Sequence, residues 1–141
     1  MDKIIKNQPD WDDVINKNFA KFKQEGYTDD VIYLNGTAKD DKQSPLWYRC
    51  LHLGETNLVE AEGFIKTPNL APGQTIDIVN LPGVTGHIKT VVSQNVYGGR
   101  DNVPILSKSN NPGTLNLTNY STSDTGVWQM GYSILAVYDN D

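Results

Sequence analysis

The sequence predicts an all-β fold: a jelly-roll-like antiparallel β-sandwich of about eight strands, preceded by one short N-terminal helix. Three observations carry this. From Val31 onward the apolar and β-branched runs are short, turn signals recur roughly every 8–12 residues, and only the first residues show a helical spacing of three and four. The chain is thereby divided into an N-terminal segment, residues 1–27, and a sandwich, residues 28–141.

Residues 1–9 are polar apart from Ile4-Ile5, and Pro9 separates them from a helical pattern. Asp10 can cap that helix, with Asp12 and Asp13 in the first turn complementing the helix dipole. Trp11, Val14 or Ile15, Asn18 or Phe19, and Phe22 then recur on one stripe, and Gly26 ends the run. A helix of roughly 15 residues is marginal alone in water, so its stripe must pack on something. Two partners fit: the β-domain of the same chain, or copies of the helix itself. In the second case Trp11, Ile15, Asn18 and Phe22 form a trimer seam with one polar position, although the repeat is shorter than the three to four heptads of an assured coiled coil.

The strand runs come in order: Val31 to Asn35, Leu46 to Leu53, Leu58 to Ile65, Thr75 to Leu81, His87 to Ser93, Val103 to Ser107, Thr114 to Asn119 and Tyr132 to Tyr138. Leu58 to Ile65 alternates, and Gly-Glu-Thr-Asn joins it to the preceding run as a hairpin. Thr75 to Leu81 is bracketed by Pro72-Gly73 and Pro82-Gly83. Tyr132 to Tyr138 is apolar on both faces, which suits a central strand or one covered by a neighbouring subunit. The short stretch after it makes the sandwich the expected distal end of the protein.

Composition narrows the function. With 12 Lys plus Arg against 17 Asp plus Glu, the net charge is -5, which disfavours a nucleic-acid partner. The N-terminus lacks the apolar core of a signal peptide, and no stretch is long and apolar enough for membrane insertion. The single Cys50 has no internal disulfide partner and lies in a strand run, where a free thiol behaves as a small core residue.

The order Tyr48-Arg49, Gly54, Val59-x-Ala61-x-Gly63, Ile76-x-Ile78-x-x-Leu81-Pro82-Gly83 resembles the C-terminal, head-like β-domain of tail-fibre and baseplate receptor-binding proteins from phages and prophages of Gram-positive bacteria. In that family an aromatic-Arg pair opens a strand, an alternating strand ending in Gly comes second, and a Leu-Pro-x-Gly turn comes third. Asp13 to Phe19 also resembles the short helix built around Ile-Asn-x-Asn-Phe in many phage tail proteins. The resemblance implies a homotrimer located in the virion tail or baseplate and made in the bacterial host cytoplasm without a signal peptide. Its implied partners are other tail or baseplate proteins and a host cell-wall polysaccharide or teichoic acid. The extended shoulder and long neck of longer family members are missing here, which bears on whether this is the primary adhesin.

Catalytic chemistry is not expected. Glu60 and Glu62 project from one strand face like the two carboxylates of a glycosidase, but a solvated outer face accounts for them. His52 and His87 stand apart from any metal-ligand spacing. Ser121, Ser123 and Asp124 lack a nucleophile elbow, and Gly98-Gly99 is not followed by a phosphate-binding helix. No catalytic residue, metal or cofactor is therefore assigned.

Binding remains. A saccharide matches a flat aromatic beside forked hydrogen-bonding groups. The loop residues offering that chemistry are Tyr97 with Arg100, Asp101 and Asn102, then Tyr120 near Asp124, then Trp128. Plainer roles exist for each: Arg100 and Asp101 as a surface ion pair, Trp128 as a plug at the end of the sandwich. Trp47, in its apolar run, is expected in the core. The reading is a receptor-binding module. Its alternatives are a ligand-free accessory protein of the virion tail and a free-standing carbohydrate-binding module.

Overall fold

A computed structural model describes residues 22–95 and 103–140. The described residues form strands β1 (Phe22–Gln24), β2 (Ile32–Tyr33), β3 (Ala38–Lys39), β4 (Trp47–Leu53), β5 (Thr56–Thr67), β6 (Thr75–Asn80), β7 (Ile88–Asn95), β8 (Ile105–Lys108), β9 (Thr114–Thr118) and β10 (Trp128–Tyr138). These make two antiparallel sheets. The larger runs β1-β4-β5-β10-β7 with β3 also on β5, and the smaller runs β2-β6-β9-β8.

Alternation decides which side chains meet between the sheets. Along β5, Asn57, Val59, Ala61, Gly63, Ile65 and Thr67 are buried, while Leu58, Glu60, Glu62, Phe64 and Lys66 face outward. The buried Tyr48, Cys50, Tyr132 and Ile134 of the larger sheet share one apolar cluster with Val79, Leu106, Leu115 and Leu117 of the smaller. The expected all-β, two-sheet architecture is thus present. Tyr48 crosses the core to the Pro82-Gly83 turn, where its hydroxyl accepts the Gly83 amide at 2.8 Å. The Cys50 thiol donates to the Gly83 carbonyl at 3.5 Å, so two neighbouring side chains of β4 hold the same turn.

The hairpin between β4 and β5 forms with Leu53 opposite Thr56 and a two-residue connection in which Gly54 has φ 67°. β10 lies between β5 and β7 and is thus a central strand; Tyr132, Ile134, Ala136 and Tyr138 face the core, while Leu135 on the other face is exposed.

The N-terminal helix is not supported. Phe22, given a seam position in that helix, belongs instead to β1, in register with Leu53 of β4. The reason is a free edge: β4 would otherwise leave its backbone unpaired, and pairing along it outweighs weak local propensity. Trp11, Ile15 and Asn18, the rest of the expected seam, lie outside the described residues.

Candidate functional site

The two sheets show solvent different chemistry. Outside the smaller sheet Asp77 is tied into polar neighbours: Asn111 Nδ2 donates to its Oδ2 at 2.8 Å and Asn35 Nδ2 to its carbonyl at 2.8 Å. The Thr75 and Thr118 hydroxyls lie 2.7 Å apart on the same sheet. The larger sheet turns Trp47, Leu53, Val92 and Leu135 outward. Cross-strand register sets Trp47 opposite Glu62, Arg49 opposite Glu60, and Leu135 between Glu60 and Val92.

A cleft opens where this face meets the edge of β5. Both β3 and β4 pair with that edge, β3 at Lys66 and Ile65 and β4 from Glu62 onward, so the chain between them must leave the edge and return. It does so over Gly63, whose φ is 140°. A Cβ there would collide with the Pro45 carbonyl oxygen and lie 2.8 Å from Leu46 Cα, so only glycine lets the crossing strap settle. The Phe64 amide then donates to the Ser44 carbonyl at 3.0 Å.

Tyr27 reaches the cleft through an irregularity in the first strand. Gln24 pairs with Leu51 and Thr28 with Tyr48, four residues' advance against three, so one extra residue is accommodated around Gly26. The resulting cleft has a volume of about 520 Å³ and is lined by Tyr27, Ser44, Trp47, Glu62, Gly63 and Phe64.

Its charges are unequally committed. Arg49 Nε and Nη2 both donate to Glu60 Oε2 at 2.8 Å, and the guanidinium carbon stands 4.6 Å from the centre of the Tyr27 ring. The Tyr27 phenol is held above its ordinary value by desolvation, then by its hydrogen bond to Glu60 and that carboxylate's charge. It is therefore a protonated donor at neutral pH. Arg49 and Glu60 cancel, and among the described residues that leaves Glu62, facing Trp47 and without a hydrogen-bond or ion-pair partner, as the net charge lining the cleft.

Comparison with protein-family models, with curated proteins and with solved structures finds no match for this chain. The site is therefore read from its own residues. Among the described residues no group of three or more His, Cys, Asp or Glu is placed to hold a metal ion. The Cys50 thiol is buried and pushed up by desolvation, the opposite of what a nucleophile needs.

Of the loop residues expected to bind ligand, Tyr120 is exposed on the loop after β9 and does not line the cleft, and Trp128 opens β10 in register with Thr67. Tyr97, Arg100, Asp101 and Asn102 lie outside the described residues. The Tyr120 loop is firmly built. The buried Asn119 donates from Nδ2 to the Leu70 and Ser123 carbonyls at 2.9 and 2.8 Å, and accepts from the Ser121 amide and hydroxyl at 2.9 and 2.7 Å.

Sequence reasoning missed Trp47, Tyr27, Phe64 and Glu62 as a group. Trp47, expected in the core, is 42% exposed. The clue was phase: Arg49 must face out of a half-buried strand, which sends Trp47 out with it and Tyr48 and Cys50 inward.

Proposed function

We propose that the outer face of the larger sheet is a saccharide-binding surface centred on this cleft. The observation that supports it is the convergence of Trp47, Tyr27 and Phe64 with the Glu62 carboxylate and Ser44 in one depression. Ring faces match the C–H patches of a sugar, and carboxylate and hydroxyl match its hydroxyl groups. Trp47, Glu62 and Phe64 are held by the paired strands β4 and β5, so little ordering of these groups is needed on binding.

In this reading the chain is a tail or baseplate component of a phage or prophage of a Gram-positive bacterium, and the saccharide belongs to the host cell wall. Among the described strands the chain passes between the sheets at β1–β2, β2–β3, β5–β6, β6–β7, β7–β8 and β9–β10, an interlacing that supports reading the two sheets as a jelly-roll-like sandwich. Three copies engaging together would raise avidity by ~10²–10⁴ over one weak site. Trp47→Ala should weaken binding on an array of wall glycans by about tenfold or more while the far-ultraviolet circular dichroism stays unchanged, as expected for a half-exposed ring. Wild-type protein that ignores every glycan on the array would reject the proposal.

The second reading is a ligand-free structural component whose larger sheet packs on another virion protein. The exposure of Val92 and Leu135, 66% and 48%, on that same face favours it. Light scattering after size exclusion separates both from a free-standing carbohydrate-binding module, which should be monomeric.

A further inference from the structure

We infer that the cleft selects ligands carrying a positively charged ammonium group, as an amino sugar or as a quaternary ammonium substituent. The inference rests on the cleft being a ligand site and adds the charge of what it holds.

Among the described residues, three aromatic side chains and one carboxylate line this small space. Aromatic faces attract cations through the ring quadrupole, and a carboxylate beside them adds direct attraction. The protein already uses one of these rings in that way, since Arg49 stands over Tyr27. Arg49 is already paired as an ion, since its Nε and Nη2 both stand 2.8 Å from Glu60 Oε2, and it is not among the described residues that line the cleft. Among the described residues that line the cleft, Glu62 is thus the uncommitted charge, on the strand position opposite Trp47 and beside Phe64. An anionic ligand, by contrast, would meet that carboxylate with no compensating cation among the described residues that line the cleft. Shape also fits. A trimethylammonium or protonated amine is far smaller than a cleft of about 520 Å³, so the rest of a larger ligand can extend along the sheet.

The experiment uses the full chain and ligand-observed NMR titration with two matched pairs. One pair is choline against its uncharged analogue with carbon in place of nitrogen; the other is glucosamine against glucose. The charged member of at least one pair should bind about fivefold or more tighter than its neutral partner, and the advantage should shrink as salt is raised. Glu62→Gln should reduce that advantage to the part the rings supply while leaving the neutral partner's binding as it was, and Trp47→Ala should weaken both members.

Glucose binding as well as glucosamine, with Glu62→Gln without effect, overturns the charge preference and leaves the saccharide reading standing. Choline binding without either sugar upholds the ammonium preference and removes the saccharide reading. If no probe binds, or binding is indifferent to both substitutions, the cleft is not the site and both readings fall.

Discussion

Gly63 is the residue on which the cleft depends, and a comparison with Gly54 isolates why. Both have positive φ, 140° and 67°, so both strain an added side chain. At Gly54 a Cβ meets nothing within 4 Å, whereas at Gly63 it meets the backbone of the Pro45 strap, which has no flexible end to move aside. Gly54→Ala should therefore cost about 1 kcal/mol, from strain alone. Gly63→Ala should cost about 3 kcal/mol or more, through strain and overpacking together. Urea denaturation of the pair measures the difference, and equal losses would mean that the strap does not press on β5 as described. A subtler test of the core is Tyr48→Phe, which leaves the ring and strips the acceptor from the Gly83 amide. The expected loss is about 1–2 kcal/mol, read as a lower urea midpoint.

At the scale of elements, sequence pattern serves where neighbours in the chain are neighbours in the sheet. The β4–β5 hairpin is legible because Leu58 to Ile65 alternates and Gly54 supplies its turn. β3 is not, since Ala38–Lys39 is a two-residue strand whose only reason to form is an open stretch of β5 edge. The residues of β1 carry a helical spacing for the same kind of reason: what fixes them as a strand is β4, far along the chain. The cleft inherits this limit. Trp47 and Glu62 come together by strand register and Tyr27 by a bulge, and neither appears as a motif. The loop after β9 offers the clearest elemental prediction. Asn119 satisfies two carbonyls and accepts twice within its own loop, and it is fully buried. Asn119→Ala leaves those partners unmet and should cost about 2–3 kcal/mol. Faster hydrogen exchange should be confined to residues 119–126 and to the Leu70 amide, which bonds Thr125 Oγ1 at 2.9 Å in that loop. Exchange that rises equally across both sheets would show that Asn119 supports the whole fold and not its loop.

For the whole molecule, what joins the sheets also sets how the fold responds to base. Tyr132 and Tyr138 of β10 and Tyr48 of β4 all have phenols pushed up from an ordinary value of 10.0, chiefly by desolvation, and the Cys50 thiol is pushed up from 9.0 for the same reason. Each group holds its proton more tightly when folded than when unfolded. Their contribution is thus fully present below the unfolded value and is lost as pH rises from there toward the folded value. Stability should accordingly be level with respect to these groups near neutrality, begin to fall above pH 9 as the unfolded thiol ionises, and fall faster above pH 10 as the phenols ionise in turn. Cys50→Ala tests the order, since it should remove the first part of the decline and keep the second. Melting temperature measured from pH 8 to pH 11 decides the matter. A flat profile across that range would mean that these groups are solvated, and that the two sheets do not close over them as one core.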